Sequence, residues 1–233
     1  GEILSLDEFI NINKELIKLN KLSNDTAIRS CVYIDELIPG AKISNLKTNF
    51  YSFVYNLSVL YKESGSNLCF SSWRRVNDMQ IPPRAKVNGM YAATALVRNE
   101  ALLNGYDDAL ILDDNGHLTE SSVANVFVVK SGVLYTPKVT TDLLPGITRA
   151  TIIELAKYLD YEVIETDIDR SECYIADEIF ITGSSARISP IISIDRKKIG
   201  NGEPGKITKE IESAFKALTI NELSLGKAWL MEV

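Results

Sequence analysis

Apolar positions recur along this chain in two rhythms. Over residues 6–19, Leu6, Phe9, Ile10, Leu16 and Ile17 share one helical face and Ser5 stands where a cap belongs, so the spacing predicts an opening helix. The runs TAIRSCVYID, NFYSFVYN and NLCFSSW then predict strands. A second helix is expected from just after Lys86 to about residue 104, with Met90, Thr94, Val97 and Ala101 at helical spacing and Gly105 closing it. β structure returns with DALIL and the turn Asp113-Asp114-Asn115-Gly116. NVFVV then passes through Ser131-Gly132 into VLYTP as a hairpin. A helix near 148–159 presents Ile152, Leu155, Ala156 and Leu159. YEVIETDI and EIFITG follow as strands, and a last helix near 208–218 carries Ile211, Phe215 and Leu218 on one stripe.

The stretch 74–85, RRVNDMQIPPRA, is polar, proline-bearing and without period, and is the natural boundary. The expected fold class is therefore α/β (α+β) with two domains: residues 1–78, a linker at 79–85, and a larger domain at 86–233. With 45% hydrophobic and 24% charged residues, a chain of 233 residues can bury a sizeable core. A net charge of −6 without a large basic cluster argues against nucleic acid as a partner. There is no apolar run of membrane-spanning length, and GEILSLDEFI lacks the order of a signal peptide. A cytoplasmic protein without a membrane partner is expected. Cys31, Cys69 and Cys173 are odd in number and widely separated, which reads as buried reduced thiols. A single histidine leaves little from which to build a metal site.

Candidate chemistry starts at Lys86, in IPPRAKVNGMY, which follows a turn and leads into a helix. At the mouth of a cleft such a lysine is able to form a Schiff base; on an open surface it needs no explanation. LLPGITR puts Pro145-Gly146 just before a helix, leaving the amides of Ile147 and Thr148 and the Thr148 hydroxyl as a seat for a phosphate, while the motif alone reads first as a plain turn with a threonine cap. In FITGSSA the amides after Gly183, from Ser184 through Ser185 to Ala186, form either an anion-binding nest or an ordinary polar turn. Glu120 precedes three small residues that would admit a flat ligand, although alone it reads as a solvated carboxylate. Arg29 is either an outward strand charge or a binder of a substrate carboxylate, and His117 reads as an exposed turn residue. A lysine, an acid and a phosphate cup are together what pyridoxal 5'-phosphate requires.

The blocks SSWRR, IPPRAKVNGMY, NEALLNGYDDALILDDNGHLTE, NVFVVKSGVLYTP, LPGITR, ADEIFITGSSA and SPIISID resemble the class IV (fold-type IV) aminotransferases, most closely the branched-chain amino acid group. The resemblance covers about residues 66–218. It implies a two-domain enzyme with a small N-terminal α/β domain, here truncated because family members carry further N-terminal residues, and a larger β-barrel-like α/β domain. It also implies a homodimer or higher homo-oligomer. The implied reaction is transamination between branched-chain L-amino acids and 2-oxoglutarate, as in branched-chain amino acid biosynthesis. By the same resemblance Lys86 is the catalytic Schiff-base lysine, and Tyr91 meets the cofactor phenolate and the substrate. Glu120 meets the ring nitrogen, Leu144 the ring face, and Ile147, Thr148 and Ser184 the phosphate. Arg29, Ser185 and Ala186 face substrate carboxylates. Alternatives are a D-amino-acid or amine transaminase, or aminodeoxychorismate lyase, of the same fold. From another class comes a truncated, non-catalytic homologue. Departures from the branched-chain pattern are Ala27, the run Ser121-Ser122-Val123-Ala124, and Ser184 in place of a threonine.

Overall fold

The computed structural model describes residues 4–22, 25–57 and 61–231. The chain divides into two compact units, Gly1–Ser58 with Met231–Val233, and Val59–Leu230.

In the first unit helix α1 (Leu6–Leu19) starts at a capping box: Ser5 Oγ accepts from the Glu8 amide, and the Glu8 carboxylate accepts from the Ser5 amide. Strands β1 (Thr26–Ile34) and β2 (Thr48–Asn56) pair antiparallel from Thr26 opposite Asn56 to Ile34 opposite Thr48. Alternation along β2 turns Phe50 towards Phe9 of α1, with ring centroids 5.8 Å apart, and turns Tyr51, Phe53 and Tyr55 to the other face, where they form a row with Tyr33. Cys31 is half-buried, in contrast to the expectation for the three thiols.

The second unit is a barrel. Its strands are β3 (Ser66–Arg74), β4 (Asp108–Leu112), β5 (Leu118–Ser121), β6 (Asn125–Lys130), β7 (Val133–Pro137), β8 (Val163–Thr166), β9 (Glu178–Gly183), β10 (Arg187–Ile194) and β11 (Lys197–Lys198). Pairing runs β10–β3–β4–β5–β6 and returns through β9 to β10, so the sheet closes on itself; β7–β8 and β11 extend it as flaps. Closure removes the open edges of the ring strands and leaves edges only on the short flaps β8 and β11.

Period-2 alternation sorts the side chains. Leu110 and Leu112 of β4, Val126 and Val128 of β6, and Ile179 and Ile181 of β9 fill the barrel core. The intervening Phe127, Val129 and Phe180 face outward under α3 (Ile147–Tyr158) and α5 (Lys206–Thr219), with the Phe127 and Phe180 rings stacked at 5.0 Å. Ala109 and Ile111 face outward under α2 (Met90–Leu103), where Val97 and Ala101 pack on them. A one-turn helix, α4 (Arg170–Cys173), links β8 to β9. The helices expected near 148–159 and 208–218 form over these ranges, and SPIISID supplies a long barrel strand that the periodicity alone had not marked. No helix of the described residues is long and apolar enough to cross a membrane.

Candidate active site

Glu120 owes its position to a bulge. Between β4 and β5, Ile111 lies opposite Glu120 but Leu112 lies opposite Leu118, so Thr119 is an extra residue. Without it Leu118 and Glu120 would share a face. With it Leu118 joins the barrel core, and Glu120 turns to the side of Ile111, outside that core. The Thr119 hydroxyl donates to the Ile111 carbonyl at 2.9 Å and satisfies an acceptor at the disrupted ladder.

Contrary to its reading as a solvated group, Glu120 is buried, and its carboxylate meets three donors. Arg75 Nη2 lies 2.7 Å from Oε1, while the Leu144 amide and Asn125 Nδ2 donate to Oε2 at 3.1 and 3.2 Å. Arg75 is equally buried, and its Nε donates to the Asp142 carbonyl at 3.0 Å. Burial pushes the Glu120 carboxyl up to about 7, although Arg75, the Leu144 amide and, more weakly, Lys86 pull it down. Lys86 is therefore close enough for its charge to act on Glu120. The group is poised to gain or lose a proton near neutrality, as a partner for a basic ring nitrogen should be.

Lys86 itself ends a 3-10 turn, Pro83–Ala85, in the left-handed region at φ 51° and ψ 40°. For a residue with a Cβ this costs about 1 kcal/mol, and such strain gathers at functional sites. Its side chain is exposed, and α2 begins four residues later. Tyr91 is the second residue of that helix and is 38% exposed.

Asn125 ties Glu120 to the phosphate-seat candidate. Besides Glu120 it donates to the Leu144 carbonyl at 2.8 Å, and a Cβ placed on Gly146 would fall 2.2 Å from its Oδ1. Only glycine fits there. Gly146 caps α3 without a side chain, so the first-turn amides of Ile147 and Thr148 have no acceptor from the cap. Leu144 is half-buried beside them. The turn Ser184–Ala186 joins β9 to β10 and is held by Thr182 Oγ1 to the Arg187 carbonyl and Ser189 Oγ to the Ala186 carbonyl, both at 2.6 Å. A Cβ placed on Gly183, beside it, would lie 3.7 Å from the Val123 carbonyl oxygen and the Ala124 methyl, ordinary van der Waals contact. Ser184 is exposed, Ser185 half-buried and Ala186 buried.

Direct contacts or close approaches thus bring Glu120, Leu144, the start of α3 and the flank of Ser184 around Asn125, and the field at Glu120 adds Lys86. Arg29 belongs to the first unit, exposed on β1. A concavity of about 450 Å³ in that unit, lined by Phe9, Cys31, Val32 and Phe50 among others, holds none of the candidate residues. His117 is less exposed than its turn suggested: its two ring nitrogens lie 3.7 and 3.5 Å from Asp113 and Asp169. Sequence reasoning missed Arg75 and Asn125. The first was visible only as half of an Arg-Arg pair, and the second only as the start of an apolar strand.

The donor set suits pyridoxal phosphate: an acid with a raised pKa for the ring nitrogen, a lysine within its field, and open helix-start amides behind a glycine that admits no side chain. Comparison with known proteins agrees. The family model described as amino-transferase class IV matches residues 4–194. A probable branched-chain-amino-acid aminotransferase of Aquifex aeolicus (strain VF5) is 38% identical over 98% of this chain and 74% of its own length. The branched-chain-amino-acid aminotransferase of Escherichia coli (strain K12) is 36% identical over 98% and 75%. Among solved structures, the Escherichia coli branched-chain amino acid aminotransferase superposes with a TM-score of 0.93 at 35% identity, covering 100% of this chain and 77% of that one. The PLP-form (holo-form) of the branched-chain amino acid aminotransferase from Thermobaculum terrenum gives 0.94 at 33%, covering 99% and 76%.

Proposed function

We infer the function from the premise that this chain belongs to the class IV aminotransferase family, whose members depend on pyridoxal phosphate. The reaction is amino-group transfer between branched-chain L-amino acids and 2-oxoglutarate, giving branched-chain 2-oxo acids and glutamate. The observation that carries it is the buried Glu120 between Arg75 and the Leu144 amide, within the field of Lys86.

When bound, the cofactor supplies an electron-withdrawing ring that takes up the charge left when the substrate Cα loses its proton. In this reading Lys86 Nζ would hold the cofactor and, when free, would take the proton from the substrate Cα as a base and deliver it onward as the acid. Glu120 would hold a proton at the ring nitrogen as its hydrogen-bond partner. Arg75 and the Leu144 amide keep the carboxylate aimed. The amides of Ile147 and Thr148, with the Thr148 and Ser184 hydroxyls, receive the phosphate at the positive end of α3. By the family resemblance Tyr91 would hold the cofactor's phenolate oxygen and Leu144 would cover its ring. The amides of Ser185 and Ala186 take the substrate carboxylate. Arg29 is assigned to the glutamate side-chain carboxylate by family resemblance. A cytoplasmic location and a homodimer or higher homo-oligomer belong to the same proposal.

Borohydride reduction of the protein with pyridoxal phosphate, followed by peptide mapping, should find the cofactor on Lys86. A panel of both enantiomers of leucine, isoleucine, valine and alanine should favour the branched-chain L-amino acids. Label on another lysine, or turnover of D-amino acids alone, would overturn the corresponding part.

A further inference from the structure

A second bulge lies behind Arg75. Between β3 and β4, Phe70 lies opposite Leu110 while Arg74 lies opposite Leu112, so β3 carries extra residues across Ser71–Trp73, just before Arg75. Such a distortion leaves ladder donors to be satisfied by another group. The carboxylate of Glu100, on α2, does this. Its Oε2 accepts from the Ser71 hydroxyl at 2.5 Å and the Ser72 amide at 3.0 Å, and its Oε1 from the Ser72 hydroxyl at 2.5 Å. The Ser71 oxygen in turn accepts from the Trp73 amide at 3.1 Å. After the bulge the chain re-enters the ladder, with the Arg75 amide donating to the Leu112 carbonyl at 2.9 Å, and the Arg75 side chain reaches Glu120.

We propose that Glu100 is a positioning residue for the reaction: by fixing the Ser71–Trp73 bulge it sets the backbone from which Arg75 reaches Glu120, and it ties that pair to the helix that follows Lys86. The inference rests on the proposed function for its catalytic meaning, but not for its geometry. Glu100 touches neither Arg75 nor Glu120 in any described hydrogen bond or ion pair, so its influence passes through backbone placement. α2 is a rigid lever for it, since Val97 and Ala101 are packed on Cys69, Ala109 and Ile111. The carboxylate is also held in its ionised form: burial acts to raise Glu100, but hydrogen bonds from Ser71 and Ser72 outweigh it and leave the group below the ordinary carboxylate range. An acceptor-only group is what three converging donors require.

The test reads Glu120 in the cofactor-free protein, by carboxyl ¹³C NMR of glutamate-labelled chain, with the Glu120 signal identified by its loss in E120Q. In E100A the bulge loosens, Arg75 withdraws, and the Glu120 midpoint should rise by about one pH unit. E100Q, which keeps an acceptor for the Ser72 amide, should fall between E100A and the parent. In the loaded enzyme kcat should drop about tenfold, with KM for the amino donor changed less than about twofold. A folded E100A with an unmoved midpoint overturns the proposal. Should E100A fail to fold, the S71A/S72A double variant carries the same readout, and an unmoved midpoint there overturns it as well. Failure of the parent to bind pyridoxal phosphate would sink the proposed function instead, while the Glu120 titration would still decide the role of Glu100.

Discussion

Two helices of the barrel unit begin on nearly the same words, Pro145-Gly146-Ile147-Thr148 at α3 and Pro204-Gly205-Lys206-Ile207-Thr208 at α5, and they use their positive ends in opposite ways. At α5 the carboxylate of Glu178 occupies the end: it accepts from the amides of Ile207 and Thr208 at 3.0 and 2.8 Å and from the Thr208 hydroxyl at 2.7 Å. At α3 no side chain caps the start. The nearby carboxylate, Glu120, instead takes the Leu144 amide, three residues upstream of Ile147. One helix start is completed by the protein's own anion, and the other is left for a ligand's. The macrodipole is common to both, so the difference lies in which strand brings a carboxylate to it.

This contrast can be broken experimentally. The largest effect is expected from E178A, which strips α5 of three charge-assisted bonds: a loss of about 4 kcal/mol in urea unfolding, part of it restored by added phosphate at the vacated amides. A proton linkage follows at the α3 side. The Glu120 carboxyl titrates near 4.5 in the unfolded chain and at about 7 in the folded one. Between those values the folded state holds more protons, so this group's contribution is complete below about pH 4.5 and lost as pH rises through 7. The loss is about 3 kcal/mol, and the slope should flatten in E120Q. Alanine at the two glycines should come next, each at about 2 kcal/mol by thermal unfolding. A Cβ on Gly205 would lie 1.9 Å from the Glu178 carboxyl carbon, and one on Gly146 would lie 2.2 Å from Asn125 Oδ1. G146A should also weaken pyridoxal phosphate binding, whereas G205A should not. The smallest change in stability belongs to T148A, about 0.5 kcal/mol without ligand, the order of a helix-propensity difference. Its signature is a reduced rise in melting temperature when inorganic phosphate is added.

The sequence carries the local half of this picture. Period-2 runs marked most of the barrel strands, Pro145-Gly146 before a helical stripe marked the start of α3, and the stripe of Ile211, Phe215 and Leu218 marked α5. It could not distinguish those starts, because Glu178 reaches α5 from β9, roughly thirty residues earlier in the chain. Glu120 was readable as a candidate from its turn and small neighbours. Its burial was not, because the Thr119 bulge reverses the face that alternation assigns to it. Arg75 was hidden for the same reason: RRVND reads as a solvated loop until a strand distortion places one of its two arginines inside. Likewise NLCFSSW resembles the two runs before it, and only its pairing with β4 and β10 assigns it to the barrel.

Ring closure also dictates a schedule for the nascent chain. β3 pairs on one side with β4, but its other side receives β10 only through contacts such as Ser66 with Ile191. During synthesis that flank stays exposed until the strand ending in Ile194 has left the ribosome, while β4 to β7 can already zip together as neighbours. The final seam is thus welded late, by a strand whose partner was translated long before. The interval before welding is when the unfinished barrel is most open to capture by a chaperone or by another unfinished copy of itself.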